Sequence, residues 1–187
     1  ANAMFNWRLL SIKGESKYAD IMELVLYNSA LVGISADGKH YFYANPLRMN
    51  HGQREYADHR DCTESANREP YIECFCCPPN LVRTIAKASG WAYSLSENGV
   101  TVNLFGGNKL NTTLPDGSAL KLTQQTSYPW EGRVLLTVDE CKTSEFSISV
   151  RVPNWAVGTT IQINGNDAGV EVVPGTFAVI ERAWQAG

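Results

Sequence analysis

The sequence predicts an α+β chain in which helices come first and an antiparallel β-sandwich comes after them. Apolar residues recur at helical spacing from Ala3 to Ala30. Beyond Gly90 the pattern turns to short alternating segments separated by Asn-Gly, Asp-Gly and Pro, the signature of strands joined by tight turns. The switch happens once, so the chain divides near residue 90 into a helical part, 1–90, and a truncated sandwich part, 91–187.

Taken in order, Ala3, Met4, Trp7 and Leu10, with Ser11 beside them, form the stripe of a first helix over 1–13, and Gly14 stands next, where a helix end favours positive φ. Ser16 is placed to cap a second helix, "KYADIMELVLYNSA". Tyr18, Ile21, Met22, Val25 and Ser29 mark one of its faces, and Ala19, Glu23, Leu26 and Ala30 a neighbouring one. The short link "GES" makes the two an antiparallel hairpin. Both are apolar on more than one side, as helices of a larger array are. "LVGISADGKHYFYAN" then reads as two short strands about an Asp37-Gly38 turn. Residues 45–71 lose all periodicity and carry many polar residues, and a loop of that length is more often functional than idle. After "ECFCCPPN" a helix is expected over "LVRTIAKASG", and then the strands "WAYSLS", "GVTVNLFG", "ALKLTQQT", "RVLLTVD", "EFSISVRV", "TTIQING" and "TFAVIER".

Composition removes several functional classes. The 16 Lys and Arg against 19 Asp and Glu give a net charge of −3, with no basic cluster beyond a pair, so nucleic acid is not an expected partner. No apolar run is long enough for a bilayer, so no membrane partner is expected either. "ANAMFNWRLL" has neither the charged nor the continuous apolar region of a signal peptide. Five cysteines are an odd number, and Cys74, Cys76 and Cys77 lie too close together to pair easily with one another. Reduced thiols fit better, which favours the cytoplasm and leaves the periplasm open.

The cysteine run is the first candidate for chemistry. Thiolates are soft ligands that select zinc, and adjacent Cys76 and Cys77 could reach one ion if Pro78-Pro79 turns the chain sharply. A structural zinc site wants four ligands, usually from two knuckles, and only one cluster is present. Buried cysteines acting as small hydrophobes are the alternative. Glu23, set among Ala19, Leu26 and Ala30, is drawn toward an apolar environment that is costly for a carboxylate without a partner, which suits an acid, a base or an acceptor from a sugar hydroxyl. An ordinary salt bridge is the bland alternative. Tyr41, Phe42 and Tyr43 are either core strand aromatics or, facing a cleft, sugar contacts. His40, His51 and His59 show no ligand spacing.

"CFCCPPNLVRTIA", read with "YADIMELVLYNSALVGISADGKHYFYANPL" before it and "SVRVPNWA" after it, resembles glycoside hydrolase family 127, the β-L-arabinofuranosidases. The resemblance covers nearly the whole chain. It implies the last helices of an (α/α)6 barrel catalytic domain followed by a β-sandwich. It also implies a zinc ion held by one glutamate and three cysteines, one of which is the nucleophile. Carried over by motif, Cys76 is that nucleophile and a zinc ligand, and Cys77 is its neighbouring ligand. Cys74 belongs to the pattern without being a ligand. Glu23 and Tyr43 match the substrate-contacting glutamate and tyrosine.

The remaining ligands of the family lie in a Glu-Thr-Cys segment, and the general acid/base is a glutamate slightly upstream of it; neither has a counterpart here. The expectation is therefore an internal piece of a longer retaining glycosidase, beginning midway through the barrel, stopping early, and inactive alone. Its substrate would be a terminal L-arabinofuranoside or related furanoside, and a homodimer is open to the full-length protein. Two rival classes remain: a carbohydrate-binding sandwich with Trp130 or Trp155 as a stacking platform, and a structural zinc or thiol module without catalysis.

Overall fold

The computed structural model describes residues 1–43, 68–70, 76–142 and 145–187. Most of the expected functional loop, with His51 and His59, lies outside the described residues, as does Cys74 after it. The chain forms two compact units, one of residues 1–6 and 21–89, the other of residues 7–20 and 90–187. Two helices run through both.

The first helix, α1 (Asn2–Lys13), ends as its sequence requires, with Gly14 at φ +67° and its N–H donating to the Leu10 carbonyl at 2.8 Å. Its buried stripe is Ala3, Asn6 and Leu10, while Met4 and Trp7 are half-buried. Asn6 is tolerated there because its amide folds back on Asn2, donating to the backbone carbonyl at 3.0 Å and to Oδ1 at 2.7 Å.

The second helix, α2 (Ser16–Val25), buries Ala19 and Met22 completely. The expected helix to Ala30 is continuous, but its winding changes: Leu26–Ala30 is a π turn, closed by the Leu31 N–H on the Leu26 carbonyl, and Leu31–Gly33 is a 3₁₀ turn. With hydrogen bonds spanning five residues instead of four, the period that placed Leu26 and Ala30 on the Glu23 face no longer holds. Ser16 does not cap its own helix as expected. Its hydroxyl donates to the carbonyl of Gly175, and the side chain is buried there.

The Asp37-Gly38 turn forms, with Gly38 at φ +72° and its N–H on the Ser35 carbonyl at 2.9 Å. The two strands around it shrink to single bridges, Ile34 with Tyr41 and Tyr41 with Glu69. Side chains take the donors a ladder would use: Asp37 Oδ1 accepts from the Lys39 N–H at 3.1 Å and Ser35 Oγ accepts from the His40 N–H at 3.0 Å. The Ser35 hydroxyl, ahead of the Lys39 amide, also holds the Asp37 carboxyl below its ordinary pKa.

In the second unit, β1 (Tyr93–Ser96), β2 (Gly99–Val102), β6 (Glu145–Val152) and β9 (Thr176–Ala183) make one sheet in that order. The strands β3 (Asn108–Thr113), β4 (Ala119–Thr126) and β5 (Val134–Cys141) make a second, and β7 (Gln162–Ile163) with β8 (Asn166–Asp167) a small hairpin. Val100, Val102, Phe146 and Ile148 of the first sheet share one core with Leu120, Leu122 and Val138 of the second, which makes the pair a sandwich. Among the described residues pairing is antiparallel, with one departure: β2 runs parallel to β6, from Gly99 opposite Ser147 to Val102 opposite Val150. In β5 a bulge opposite Lys121 and Leu122 shifts the inward parity, so that Cys141 is the next residue after Val138 to face the core.

Polar groups are buried inside this unit as well. The Gln124 amide donates to the Tyr93 hydroxyl at 2.8 Å, which in turn donates to Asn108 Oδ1 at 2.7 Å. Asn103 donates to Ser94 Oγ at 2.7 Å, and its backbone carbonyl accepts from Arg151 Nε at 2.6 Å.

Candidate functional site

The two adjacent cysteines stand at the start of α3 (Cys77–Ala88), with Cys76 as the residue before its first turn. Pro78 and Pro79 occupy that first turn, where a missing N–H costs nothing and the fixed φ is already helical. The helix therefore begins four residues earlier than its apolar pattern predicts, and the prolines start it instead of bending a loop ahead of it. The Asn80 N–H closes the turn on the Cys76 carbonyl at 3.2 Å, and buried Thr84 donates to the Asn80 carbonyl at 2.8 Å. Held in this way, Cys76 Sγ and Cys77 Sγ are 3.3 Å apart. Cys76 is exposed and Cys77 half-buried, so one residue is open to solvent while its neighbour is sheltered. Both sit at the end of the helix where its dipole favours negative charge.

Glu23, Tyr43, Cys76 and Cys77 all fall in the first unit. Glu23 is 7% exposed and lies one turn after Ala19 on α2. The turns that continue α2 lie against α3. Gly33 comes so close to Leu81 of α3 that a Cβ there would be 3.3 Å from a Leu81 methyl. The Gly33 carbonyl accepts from the Phe42 N–H at 3.0 Å, which anchors the segment carrying half-buried Tyr43. Arg68, which the sequence did not single out, closes the same corner. Its Nε and Nη2 donate to the Val32 carbonyl at 3.0 and 2.6 Å, and its guanidinium lies 4.6 Å over the Phe42 ring. The carboxylate helix, the tyrosine segment and the cysteine helix thus share one local framework around Gly33.

Among the described residues no group of three or more His, Cys, Asp or Glu is arranged to hold a metal. The cysteine pair is a partial fit to zinc: two thiolates of a tetrahedral ion with bonds near 2.3 Å would be about 3.8 Å apart, and the observed sulfurs, 3.3 Å apart, need to open by only a few tenths of an ångström. His40 serves the Asp37 turn, 3.4 Å from its carboxylate. Trp130 and Trp155 are 89% and 63% exposed, so neither is a core aromatic; Trp155 stacks on Tyr128 at 6.4 Å.

Comparison with known proteins gives this arrangement a context. The chain superposes over its whole length on a solved glycoside hydrolase, with TM-score 0.90 and 41% identity, covering 30% of that chain. A GH127 β-L-arabinofuranosidase from Geobacillus stearothermophilus T6 gives TM-score 0.85 at 34% identity, again over 100% of this chain and 29% of the other. The fold is thus one that the chain shares with part of these glycoside hydrolases. Residues 1–90 match the family model "Beta-L-arabinofuranosidase, GH127 catalytic domain", and residues 99–187 match "Beta-L-arabinofuranosidase, GH127 middle domain". The chain belongs to glycoside hydrolase family 127. A non-reducing end β-L-arabinofuranosidase of Bifidobacterium longum subsp. longum is 31% identical over 172 residues, 90% of this chain. The chain spans 26% of that relative's length.

Proposed function

We propose that this chain supplies the nucleophile and part of the sugar-binding site of a retaining, cysteine-dependent β-L-arabinofuranosidase, with α1 and α2 as late helices of an (α/α)6 barrel. The observation that carries the reading is the Cys76–Cys77 sulfur pair, 3.3 Å apart at the head of α3, in the same unit as Glu23 and Tyr43. The Cys76 thiolate attacks the anomeric carbon. A C–S bond forms as the C–O bond to the leaving group breaks, and an acid outside these residues protonates the departing oxygen. Water then attacks the same carbon, the C–S bond breaks, the electron pair returns to sulfur, and the conjugate base takes the proton from water. Two displacements retain the anomeric configuration. Glu23 accepts hydrogen bonds from ring hydroxyls, Tyr43 donates to them, and together they fix the carbon for in-line attack. A zinc ion, with Cys76 and Cys77 as two of its ligands and the others from outside this chain, would keep the nucleophile as thiolate and make it a better leaving group.

The test is Cys76→Ser and Cys77→Ser in the full-length enzyme, with turnover of p-nitrophenyl β-L-arabinofuranoside and zinc content measured together. Cys76→Ser is expected to lower kcat by a factor on the order of 10⁴ or more. Either substitution should weaken the binding of about one zinc per chain. The 187 residues by themselves should give no turnover. Turnover surviving in Cys76→Ser would remove the enzyme reading from this site. If zinc and stability fell while turnover stayed, the structural-module reading would take its place. The exposure of Trp130 and Trp155 favours a second, compatible role of the sandwich as a sugar-binding surface, which Cys76→Ser would leave intact.

A further inference from the structure

The largest fully buried side chain among the described residues is a charged one. Arg151 on β6 is 1% exposed, and its guanidinium is held from several sides. Nε donates to the Asn103 carbonyl at 2.6 Å, Nη1 donates to Asp20 Oδ1 at 2.5 Å, and the guanidinium carbon lies 5.1 Å from the Phe105 ring centre. The other Asp20 oxygen accepts from the backbone N–H of Asn154 at 3.2 Å. One turn earlier on α2, the Ser16 hydroxyl donates to the Gly175 carbonyl. These two attachments are neighbours, because a Cβ on Gly175 would come 3.1 Å from Asn154 Oδ1. The first half of α2 is therefore tied to the sandwich by an ion pair buried on its arginine side and by two flanking hydrogen bonds.

A buried ion pair is a poor device for stability, since desolvation offsets its Coulomb gain. What it does well is fix a position, because each charge has one arrangement in which it is compensated. Asp20 and Glu23 are three residues apart on the same helix, hence one turn apart and on neighbouring faces. We infer that Arg151, acting through Asp20, is a positioning residue for Glu23: the ion pair fixes the register of α2 at Asp20, and the helix carries that register one turn on to the carboxylate that contacts the sugar. The inference rests on the reading of Glu23 as a substrate contact. Arg151 thus acts on the sugar contact only through the helix.

The experiment is a double-mutant cycle in the full-length enzyme, with p-nitrophenyl β-L-arabinofuranoside as the probe. Asp20→Asn keeps an acceptor for the Asn154 N–H but removes the charge opposite Arg151. It is expected to lower kcat/KM about 10- to 100-fold, mostly in kcat, as a small misplacement of an orienting group does. In a Glu23→Gln background the same change should alter kcat/KM by less than about twofold, since the group it positions has already been lost. Arg151→Lys retains a cation and should give an intermediate loss, which keeps the test informative if Asp20→Asn folds poorly. Tyr93→Phe, which breaks hydrogen bonds with Gln124 and Asn108 and none that hold Arg151, serves as a control for stability alone; its folded fraction should keep the parent kcat. Full additivity of Asp20→Asn and Glu23→Gln, or a parent-like kcat in Asp20→Asn, would overturn the positioning role. A parent-like Glu23→Gln would instead remove the sugar-contact reading of Glu23, and the inference with it.

Discussion

Tyr93 shows how a single buried hydroxyl couples the sandwich to pH. Burial pushes its phenol above the ordinary 10.0, against the hydrogen bonds from Gln124 and to Asn108. The neutral form is thus favoured in the folded state, so its contribution is complete below pH 10 and is lost as pH rises beyond it. Thermal melts between about pH 9 and pH 11 should fall more steeply for the parent chain than for Tyr93→Phe, and equal slopes would dismiss the effect. At neutral pH the same substitution should cost about 1–3 kcal/mol, because the Gln124 amide and Asn108 Oδ1 lose a partner. At this scale the sequence is informative where the local neighbourhood decides. Apolar neighbours one turn away foretell the burial of Glu23, and Gly14 foretells a helix end. It is silent where a partner comes from far along the chain: Ser16 looks like a cap, and only the fold brings the Gly175 carbonyl to it.

Among the elements, the parallel contact of β2 with β6 depends on one glycine. At Gly99 a Cβ would stand 2.0 Å from the Ser147 carbonyl oxygen, 2.8 Å from its carbon and 2.6 Å from the Ser147 hydroxyl, so even with that side chain turned away the backbone fills the space. Gly99→Ala is expected to cost about 1–3 kcal/mol or more in urea unfolding, whereas Gly106→Ala, with nothing within 4 Å, should stay close to the parent. Equal midpoints for the two variants would show that the strands separate without cost. Strands with strong alternation are legible in the sequence, β4 and β6 above all. By contrast β3 is not, because "NKLNTT" offers Leu110 as its only large apolar residue and pairs on one side only. The segment "TTIQING" keeps only two paired residues, since Asn164 and Gly165 turn the chain at once, both with positive φ. The hairpin at Asp37-Gly38 keeps its turn and loses its ladder to local side-chain hydrogen bonds. The early start of α3 has a local cause too. Two prolines that look like a break serve equally well as a first turn, and here the helix-forming run from Asn80 to Ala88 makes them one.

For the whole molecule, the change of pattern at residue 90 and the attachment of α2 give different places to divide the chain. A polypeptide of residues 91–187 keeps Arg151 but loses Asp20 with the rest of residues 7–20, so the guanidinium loses both its counter-charge and the helical segments of its own unit. It should unfold at markedly lower urea than the sandwich of the 187-residue chain, and Arg151→Met in the shorter polypeptide should recover part of the loss. Equal midpoints would mean that the ion pair is energetically idle. The parallel pairing of β2 and β6 bears on the order of events when the chain folds. Asn98 and Ser147, which meet there through a backbone carbonyl and a hydroxyl, are 49 positions apart, and the span between them contains the three-stranded antiparallel sheet β3–β4–β5. That meander can assemble from neighbouring strands as soon as they exist, whereas β2 must wait for β6 to arrive from the far end of it. Every strand of the meander that pairs first shortens the loop still to be closed, so the second sheet acts as a template on which the first is completed.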